Sequence, residues 1–365
     1  MLPPKTKRNI SRIIPFGLIW LGSATVYSLM ERGILGQQLY YPSTGNPYNF
    51  EGNLLITSAS ALVMGLVMGT IEILYLQKLF SRRSFSQKII FKTGAYVTFM
   101  ILFLILTSVL SNARELQVGY FDRQVWQNTW AFFTNFAFWS LQFYLAATIG
   151  VSLFYAQVSE NLGQGVLSNF FTGKYHNPME EERIFMFLDM KSSTSIAERL
   201  GHVRYFEMLR TYYADLSGPV IEYSGEIYQY VGDEMIISWR LKNGLENLNC
   251  LRCFYAMKEA LLAREESYLK DFGVLPEFKA ALHCGKVTTG EIGVIKTDII
   301  FTGDVLNTTA RLQGLCNSFH VDLLISDNLL SQLQLGSEFR IKSLGVSELR
   351  GRDEKVGLST VLEVG

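Results

Sequence analysis

Charged residues are scarce in this sequence. Asp, Glu, Lys and Arg make up 18% of the 365 residues, whereas an ordinary soluble domain carries about 25%, and hydrophobic residues reach 48%. The scarcity lies in residues 1–160, which hold 12 basic and 6 acidic residues, while the remainder is charge-rich and acidic. A purely soluble chain is therefore disfavoured. We expect a membrane region joined to a soluble domain.

Cysteine and histidine are equally sparse, with four residues of each. All four cysteines lie in the second half, and Cys250-x-x-Cys253 has no second Cys or His pair nearby, which argues against a zinc or redox site. The histidines show no metal-like spacing. The soluble half also lacks a dense basic patch, so nucleic acid is not an expected partner.

Long apolar runs are present, in contrast. Four of them approach or exceed the roughly 18–20 residues that a helix needs to cross a bilayer. They are Ile13–Met30, Leu54–Ile71, Thr93–Leu110 and Trp130–Tyr155. The first is followed directly by Glu31 without a convincing cleavage site, so we interpret it as a retained anchor rather than a signal peptide. The sequence predicts four membrane-spanning helices in contact with lipid.

Basic residues outside the spans are distributed unevenly. The loops on one side carry Arg32, Arg114 and Arg123. The other side carries Lys5, Lys7, Arg8, Arg12, Lys78, Arg82, Arg83, Lys88 and Lys92. By the positive-inside rule, both termini face the cytoplasm. We therefore predict a multi-pass protein of the inner or plasma membrane with a cytoplasmic second half.

Three features of the membrane region suggest a role beyond anchoring. Glu72 is an ionisable residue within a span; it either reaches the interface or has a partner and a sensory or coupling role. Gly65-x-x-x-Gly69 permits close helix contact and hints at dimerisation. The turn-rich outer loop around residues 40–48 is either a plain connection or a site for an unidentified membrane or extracytoplasmic ligand.

The remaining chain changes character twice. Residues 159–182 are too irregular for one helix and too apolar for a free tether, which indicates a linker between a membrane domain at 1–158 and a soluble domain at 183–365. From Arg183 onward strand and helix patterns alternate, which is typical of a compact α/β domain. Its predicted helices cover Val203–Tyr223, Asn249–Lys270 and Val305–Cys316.

Two aspartates follow predicted strands in this domain. Asp189 ends the buried strand Ile184–Leu188, and Asp233 lies at the tip of a predicted hairpin. Mg²⁺ bound to nucleotide phosphates commonly uses one or two carboxylates, although each aspartate alone also fits a turn or cap. Asn307 and Arg311 are spaced i, i+4 and share a helix face, which is either functional or merely solvated.

These residues together resemble a known family, the class III adenylyl and guanylyl cyclases. The resemblance covers roughly residues 180–365. It rests on Phe187–Met190, Tyr230–Asp233 and Val305–Arg311, with Leu349–Arg352 similar to the family's basic phosphate-binding turn. It implies a ferredoxin-like (palm-like) α/β nucleotidyl cyclase domain. Residues 162–182 resemble the coupling element that precedes such domains in membrane-bound bacterial members.

The resemblance also implies a metal centre. Asp189 and Asp233 would hold two Mg²⁺ ions per site, with Mn²⁺ able to substitute, and the Met190 carbonyl would be a further ligand. Such a pair of ions activates a hydroxyl group and neutralises a leaving phosphate.

Two further groups of residues would bind the phosphates of the nucleotide. The residues at a predicted helix N-terminus, Ser192, Ser193 and Thr194, offer backbone N–H groups to phosphate oxygens. Their hydroxyl groups are also expected to cap a helix beginning at Ile196. Arg352 would bind the triphosphate tail.

The Asn/Arg motif would complete the site. Asn307 would position the ribose, and Arg311 would stabilise charge on the transferring phosphoryl group. In the family the two aspartates come from one subunit and the Asn/Arg pair from the other. The resemblance therefore implies a homodimer with two shared sites.

The base-reading position departs from the family pattern. It is Gln229 rather than the usual Lys for adenine or Glu for guanine, and Ile300 replaces its usual Asp or Thr partner. We predict an adenylate cyclase that converts ATP to cyclic AMP and pyrophosphate, with a guanylate or dual-specificity cyclase as the alternative. A catalytically silent receptor of the same fold is a further alternative. A diguanylate cyclase is suggested only superficially, by Gly232-Asp233-Glu234.

Overall fold

The computed structural model describes residues 3–40, 48–76, 84–163, 166–348 and 355–364. The chain divides into two compact units. Thr6–Leu162 form one of them, and Gly163–Gly365 make up most of the other. Most of the outer loop considered above, three of the basic residues between the second and third spans, and the Leu349–Arg352 motif lie outside the described residues.

The regular secondary structure elements described in the first unit are all helices. Its helices are α1 (Pro4–Leu35), α2 (Phe50–Ile71, continued by a π-helical turn at Glu72–Leu76), α3 (Phe85–Leu116), α4 (Arg123–Thr134) and α5 (Phe136–Leu162). Four segments in the described ranges are long and apolar enough to cross a membrane. They are Pro4–Leu35, Phe50–Leu76, Phe85–Arg114 and Phe138–Leu162. The four candidate membrane helices expected from the sequence are therefore present.

The predicted boundary of the fourth span is wrong. The apolar run Trp130–Tyr155 crosses Asn135, where the backbone leaves the helix with φ −69° and ψ 133°. Trp130 therefore belongs to the separate helix α4, which begins after an Asp122 side chain that caps the Gln124 N–H. Hydropathy does not reveal such a break because apolar residues continue on both sides of it.

The two glycines of the Gly-x-x-x-Gly motif make contact within the chain. A Cβ atom on Gly65 would lie 2.7 Å from the Phe16 carbonyl oxygen, and one on Gly69 would lie 3.0 Å from the Phe16 Cβ. The Trp20 side chain also packs against Gly65, since a Cβ atom there would lie 2.8 Å from the Trp20 Cβ. The motif thus packs α2 against α1 of the same chain.

Glu72 is buried and has partners. Its side chain forms an ion pair with Lys92 on α3, and the Tyr96 hydroxyl donates a hydrogen bond to Glu72 Oε2 at 3.2 Å. Glu72 is 3% exposed and Lys92 5%. The interpretation that Glu72 reaches an aqueous interface is therefore wrong, because its side chain is buried and paired.

The second unit is built on one mixed sheet. Its strands are β1 (Met179–Met190), β2 (Glu226–Val231), β3 (Glu234–Arg240), β4 (Phe278–Ile292), β5 (Asp298–Thr302), β6 (Leu323–Ser326), β7 (Phe339–Glu348) and β8 (Lys355–Glu363). The order is β2-β3-β1-β4-β6-β8-β7, and β5 pairs with β4. In the segment β2-β3-β1-β4 each neighbouring pair of strands is antiparallel, as in a ferredoxin-like sheet. The expected α/β architecture is present.

The helices of this unit connect the strands. They are α6 (Val166–Thr172), α7 (Ser193–Leu200), α8 (His202–Glu222), α9 (Leu241–Leu245), α10 (Asn249–Leu262), α11 (Glu265–Phe272), α12 (Asp304–Phe319) and α13 (Asp327–Leu330). Alternate residues of β1 face opposite sides of the sheet. Ile184 and Met186 join the core under α8 and α10, whereas Phe185 and Phe187 join Val305 of α12 on the other side.

Two predicted helices differ from the structure. The helix expected from Ile196 begins at Ser193 instead, after Ser192 in a left-handed conformation with φ +55°. The helix expected over Asn249–Lys270 is divided after Leu262 into α10 and α11. Helix-forming residues continue across this break, so local pattern does not detect it.

Candidate metal and nucleotide site

The sheet register brings the two predicted metal ligands together. Asp189 in β1 pairs with Glu234 in β3, and Asp233 lies in the turn immediately before Glu234. That turn contains Gly232 at φ +64°, a conformation that glycine adopts at low cost. The Tyr213 hydroxyl donates a hydrogen bond to the Gly232 carbonyl oxygen at 2.8 Å and so holds the turn against α8.

The electrostatics of this corner suit a cation. Burial and, next, the negative charge of Asp233 raise the pKa of Asp189. Burial likewise raises the pKa of Glu234, with further contributions from Asp189 and Asp233. Closely spaced carboxylates disfavour one another's ionised forms, and a hard divalent cation with oxygen ligands would relieve that repulsion. The donor set therefore fits Mg²⁺ or Mn²⁺.

Two neighbours of Asp189 were not predicted from the sequence. Gln313 Nε2 on α12 donates to Asp189 Oδ2 at 3.1 Å, and Lys279 Nζ on β4 lies 3.5 Å from the same oxygen. Lys279 is the register partner of Asp189 across the β1–β4 pair. No local pattern signals these contacts, because they join residues about 90 and 124 positions apart.

The predicted phosphate-binding residues lie at the start of α7, close in sequence to Asp189. Ser192 precedes the helix, Ser193 is its first residue and Thr194 its second. Tyr205 of α8 lies near the carboxylates, since burial and, next, the negative charge of Asp233 raise its pKa.

Met190 is 2% exposed, and its backbone pairs with Phe278 of β4. Its side chain therefore belongs to the core. The predicted role of its carbonyl group as a metal ligand stays a prediction. Arg352, proposed for the triphosphate tail, lies outside the described residues.

Asn307 and Arg311 point away from the aspartates of their own chain. Both lie on α12, which also carries Gln313, and Gln313 faces Asp189. At about 100° per residue, Arg311 is rotated about 200° from Gln313, while Asn307 lies about 40° from Arg311. Nη1 of Arg311 is buried and has no hydrogen-bond partner among the described residues. The structure therefore does not bring the Asn/Arg pair to the carboxylates within one chain.

The predicted base-reading residues lie on strands β2 and β5. Gln229 is exposed and follows a β-bulge between Ile227 and Gln229. The bulged residue, Tyr228, packs against Phe301 with ring centroids 4.8 Å apart, and its hydroxyl accepts a hydrogen bond from the Phe301 N–H at 3.4 Å. Because Ile300 directly precedes Phe301, this contact links the two strands that carry the predicted base-reading residues.

Comparison with known proteins identifies the second unit. Residues 176–360 match the family model described as adenylate and guanylate cyclase catalytic domain. The chain is 40% identical over 215 residues to adenylate cyclase 2 of Rhizobium meliloti (strain 1021), a match that covers 59% of each protein. It is 26% identical over 183 residues to an adenylate cyclase of Anabaena cylindrica, covering 48% of this chain and 36% of the relative.

The matched segments thus span less than two thirds of these relatives' own length. Among solved structures, a bacterial light-regulated adenylyl cyclase superposes with a TM-score of 0.51 at 19% identity, covering 62% of this chain and 65% of that one. At this identity, the match shows a shared fold.

Proposed function

Since this chain belongs to the adenylate and guanylate cyclase family, we propose that it is a membrane-bound adenylate cyclase that converts ATP to cyclic AMP and pyrophosphate. The observation that carries the proposal is the juxtaposition of Asp189 and Asp233 at one corner of the sheet. The family membership disfavours the diguanylate cyclase alternative.

The proposed reaction assigns each residue a task. Asp189 and Asp233 hold two Mg²⁺ ions, for which Mn²⁺ can substitute, with the Met190 carbonyl as an added ligand. When bound, the ions lower the pKa of the ribose 3′-hydroxyl and neutralise the departing pyrophosphate. The backbone N–H groups of Ser192–Thr194 bind phosphate oxygens, and Arg352 binds the end of the triphosphate.

A second chain supplies the remaining groups. Arg311 of the partner subunit stabilises the negative charge on the transferring phosphoryl group, and Asn307 of the partner subunit positions the ribose. The rotation of Arg311 by about 200° around α12 from Gln313, which contacts Asp189 of the same chain, supports a homodimer with two shared sites.

Nucleotide choice tests the proposed activity. Ile300 cannot form a hydrogen bond, so guanine's additional polar edge groups are left less well satisfied than adenine's, and an unpaired buried polar group costs roughly 1–3 kcal/mol. About 1.4 kcal/mol corresponds to tenfold. We expect the purified full chain, with Mg²⁺ or Mn²⁺, to prefer ATP over GTP by about tenfold in kcat/KM, with detectable GTP turnover.

The Gln229→Glu variant provides the matched comparison. A Gln amide both donates and accepts, whereas a carboxylate accepts only and suits the ring N–H of guanine. The ratio of kcat/KM for ATP to kcat/KM for GTP should therefore fall in this variant. A wild-type preference for GTP would favour the guanylate cyclase alternative, no product from either nucleotide would favour a silent receptor, and an unchanged ratio would show that Gln229 does not read the base.

We further propose that the four apolar helices anchor the enzyme in the cell membrane with its catalytic domain in the cytoplasm, and that the membrane domain regulates it, through an unidentified ligand. The basic residues on one side of the spans support this orientation. Reporter fusions after residues 45, 85, 120 and 175 should read outside, inside, outside and inside. An external signal at 175 would contradict the orientation and separate the enzyme from cytoplasmic ATP.

A further inference from the structure

The environment of Asp189 includes two donors that the proposed reaction does not use. Gln313 Nε2 donates to Asp189 Oδ2 at 3.1 Å, and Lys279 Nζ lies 3.5 Å from the same oxygen. Gln313 makes the hydrogen bond, and Lys279 adds a positive charge at ion-pair distance from the same oxygen. They thereby restrict rotation of the carboxylate about its own axis.

Of the two donors, Gln313 is the better placed to set this orientation. It is 7% exposed and projects from the middle of α12, a helix of 16 residues packed on β4, whereas lysine carries its charge on a long flexible stem. Contact between Val305 of α12 and Gly285 of β4 fixes the N-terminal end of the helix: a Cβ on Gly285 would lie 3.3 Å from Val305. The amide therefore reaches Asp189 from a rigid support.

We propose that Gln313 is a positioning residue that orients Asp189 for metal binding. This inference rests on the proposed function, because it takes Asp189 as a metal ligand. Hydrogen bonds to metal-binding side chains hold their orientation, and losing such a bond typically weakens metal affinity or activity by about 10–100-fold. If Gln313 had only a structural role, its hydrogen bond to Asp189 would satisfy a buried amide group and would not affect metal affinity.

Mn²⁺ binding without nucleotide separates these two roles. We would measure free Mn²⁺ by electron paramagnetic resonance during titration of the purified full chain, for wild type, Gln313→Met and Gln313→Ala. Met retains most of the side-chain volume and Ala removes it, so the two variants control for packing. Both should bind Mn²⁺ about 10–100-fold more weakly. Gln332→Met, a change at an exposed amide that donates to the Asn328 carbonyl, should bind as wild type does.

Steady-state kinetics give a second readout. The Mn²⁺ concentration for half-maximal activity should rise by the same factor in Gln313→Met, while the KM for ATP at saturating Mn²⁺ changes by less than about twofold. Variants that bind Mn²⁺ as tightly as wild type would overturn the positioning role and leave the proposed activity standing. A wild type that binds no Mn²⁺ would instead overturn the metal site itself, and the positioning role with it.

Mixed dimers provide the sharpest control. A dimer of an Asp189→Ala chain and an Arg311→Ala chain has one intact site, whose aspartates come from the Arg311→Ala chain. Gln313→Met added to that chain should raise the Mn²⁺ requirement, whereas the same change in the Asp189→Ala chain should not, since its Gln313 no longer contacts a carboxylate. Equal effects from both placements would indicate a general structural role and overturn the proposal.

Discussion

Asp189→Ala and Arg311→Ala should each reduce cyclase turnover by about 10³-fold or more, and mixing the two inactive variants should restore activity. The magnitude follows from the proposed roles, since an arginine that stabilises a transferring phosphoryl group contributes about 10³–10⁵ to kcat. The recovery follows from the geometry: Gln313 directs one side of α12 to Asp189 of its own chain, and Arg311 faces about 200° away.

One intact site per mixed dimer limits the recovered rate to about half that of wild type. Product formation by each variant, by the mixed dimer purified through a different affinity tag on each chain, and by wild type measures this directly. Asp298→Ala and Arg252→Ala remove charges in exposed pairs with Lys296 and Glu338, and should leave turnover unchanged. Failure of the purified mixed dimer to recover activity would indicate that each chain builds its own site.

Lys92→Met should be the most destabilising single change in the membrane region. It leaves the Glu72 carboxylate, which is 3% exposed, without its ion-pair partner, and breaking a buried ion pair by removing one partner costs about 3–5 kcal/mol. The hydrogen bond from Tyr96 remains but does not compensate a full charge. The melting temperature of the full chain in detergent should therefore fall markedly.

A double variant distinguishes this effect from simple loss of packing. Glu72→Gln combined with Lys92→Met removes both charges, and replacing a buried pair entirely is often nearly neutral. It should recover most of the lost stability. Arg114→Met, in the last turn of α3 and exposed, serves as the control with little expected change. Equal destabilisation by the single and the double variant would show that the ion pair is not what Lys92 contributes.

Local pattern was enough to predict the main divisions of the chain. A bilayer requires about 20 consecutive apolar residues, so four candidate spans can be recognised without knowing their neighbours. Strand alternation and turn residues placed Asp189 at the end of a strand and Asp233 in the following hairpin, where the structure has them. The turn places Asp233 beside Glu234, but the approach of Asp189 comes from the pairing of β1 with β3, which are separated in the chain by α7, α8 and β2.

Tertiary structure alone decided which distant residues meet. Lys92 reaches Glu72, and Gln313 and Lys279 reach Asp189, because separate helices and strands pack at those positions. It also decided that Asn135 interrupts an apolar run and that Arg311 faces away from its own carboxylates. Hydrophobic periodicity indicates which residues are buried, but it does not identify the residues against which they pack. That partner depends on how all the elements pack together.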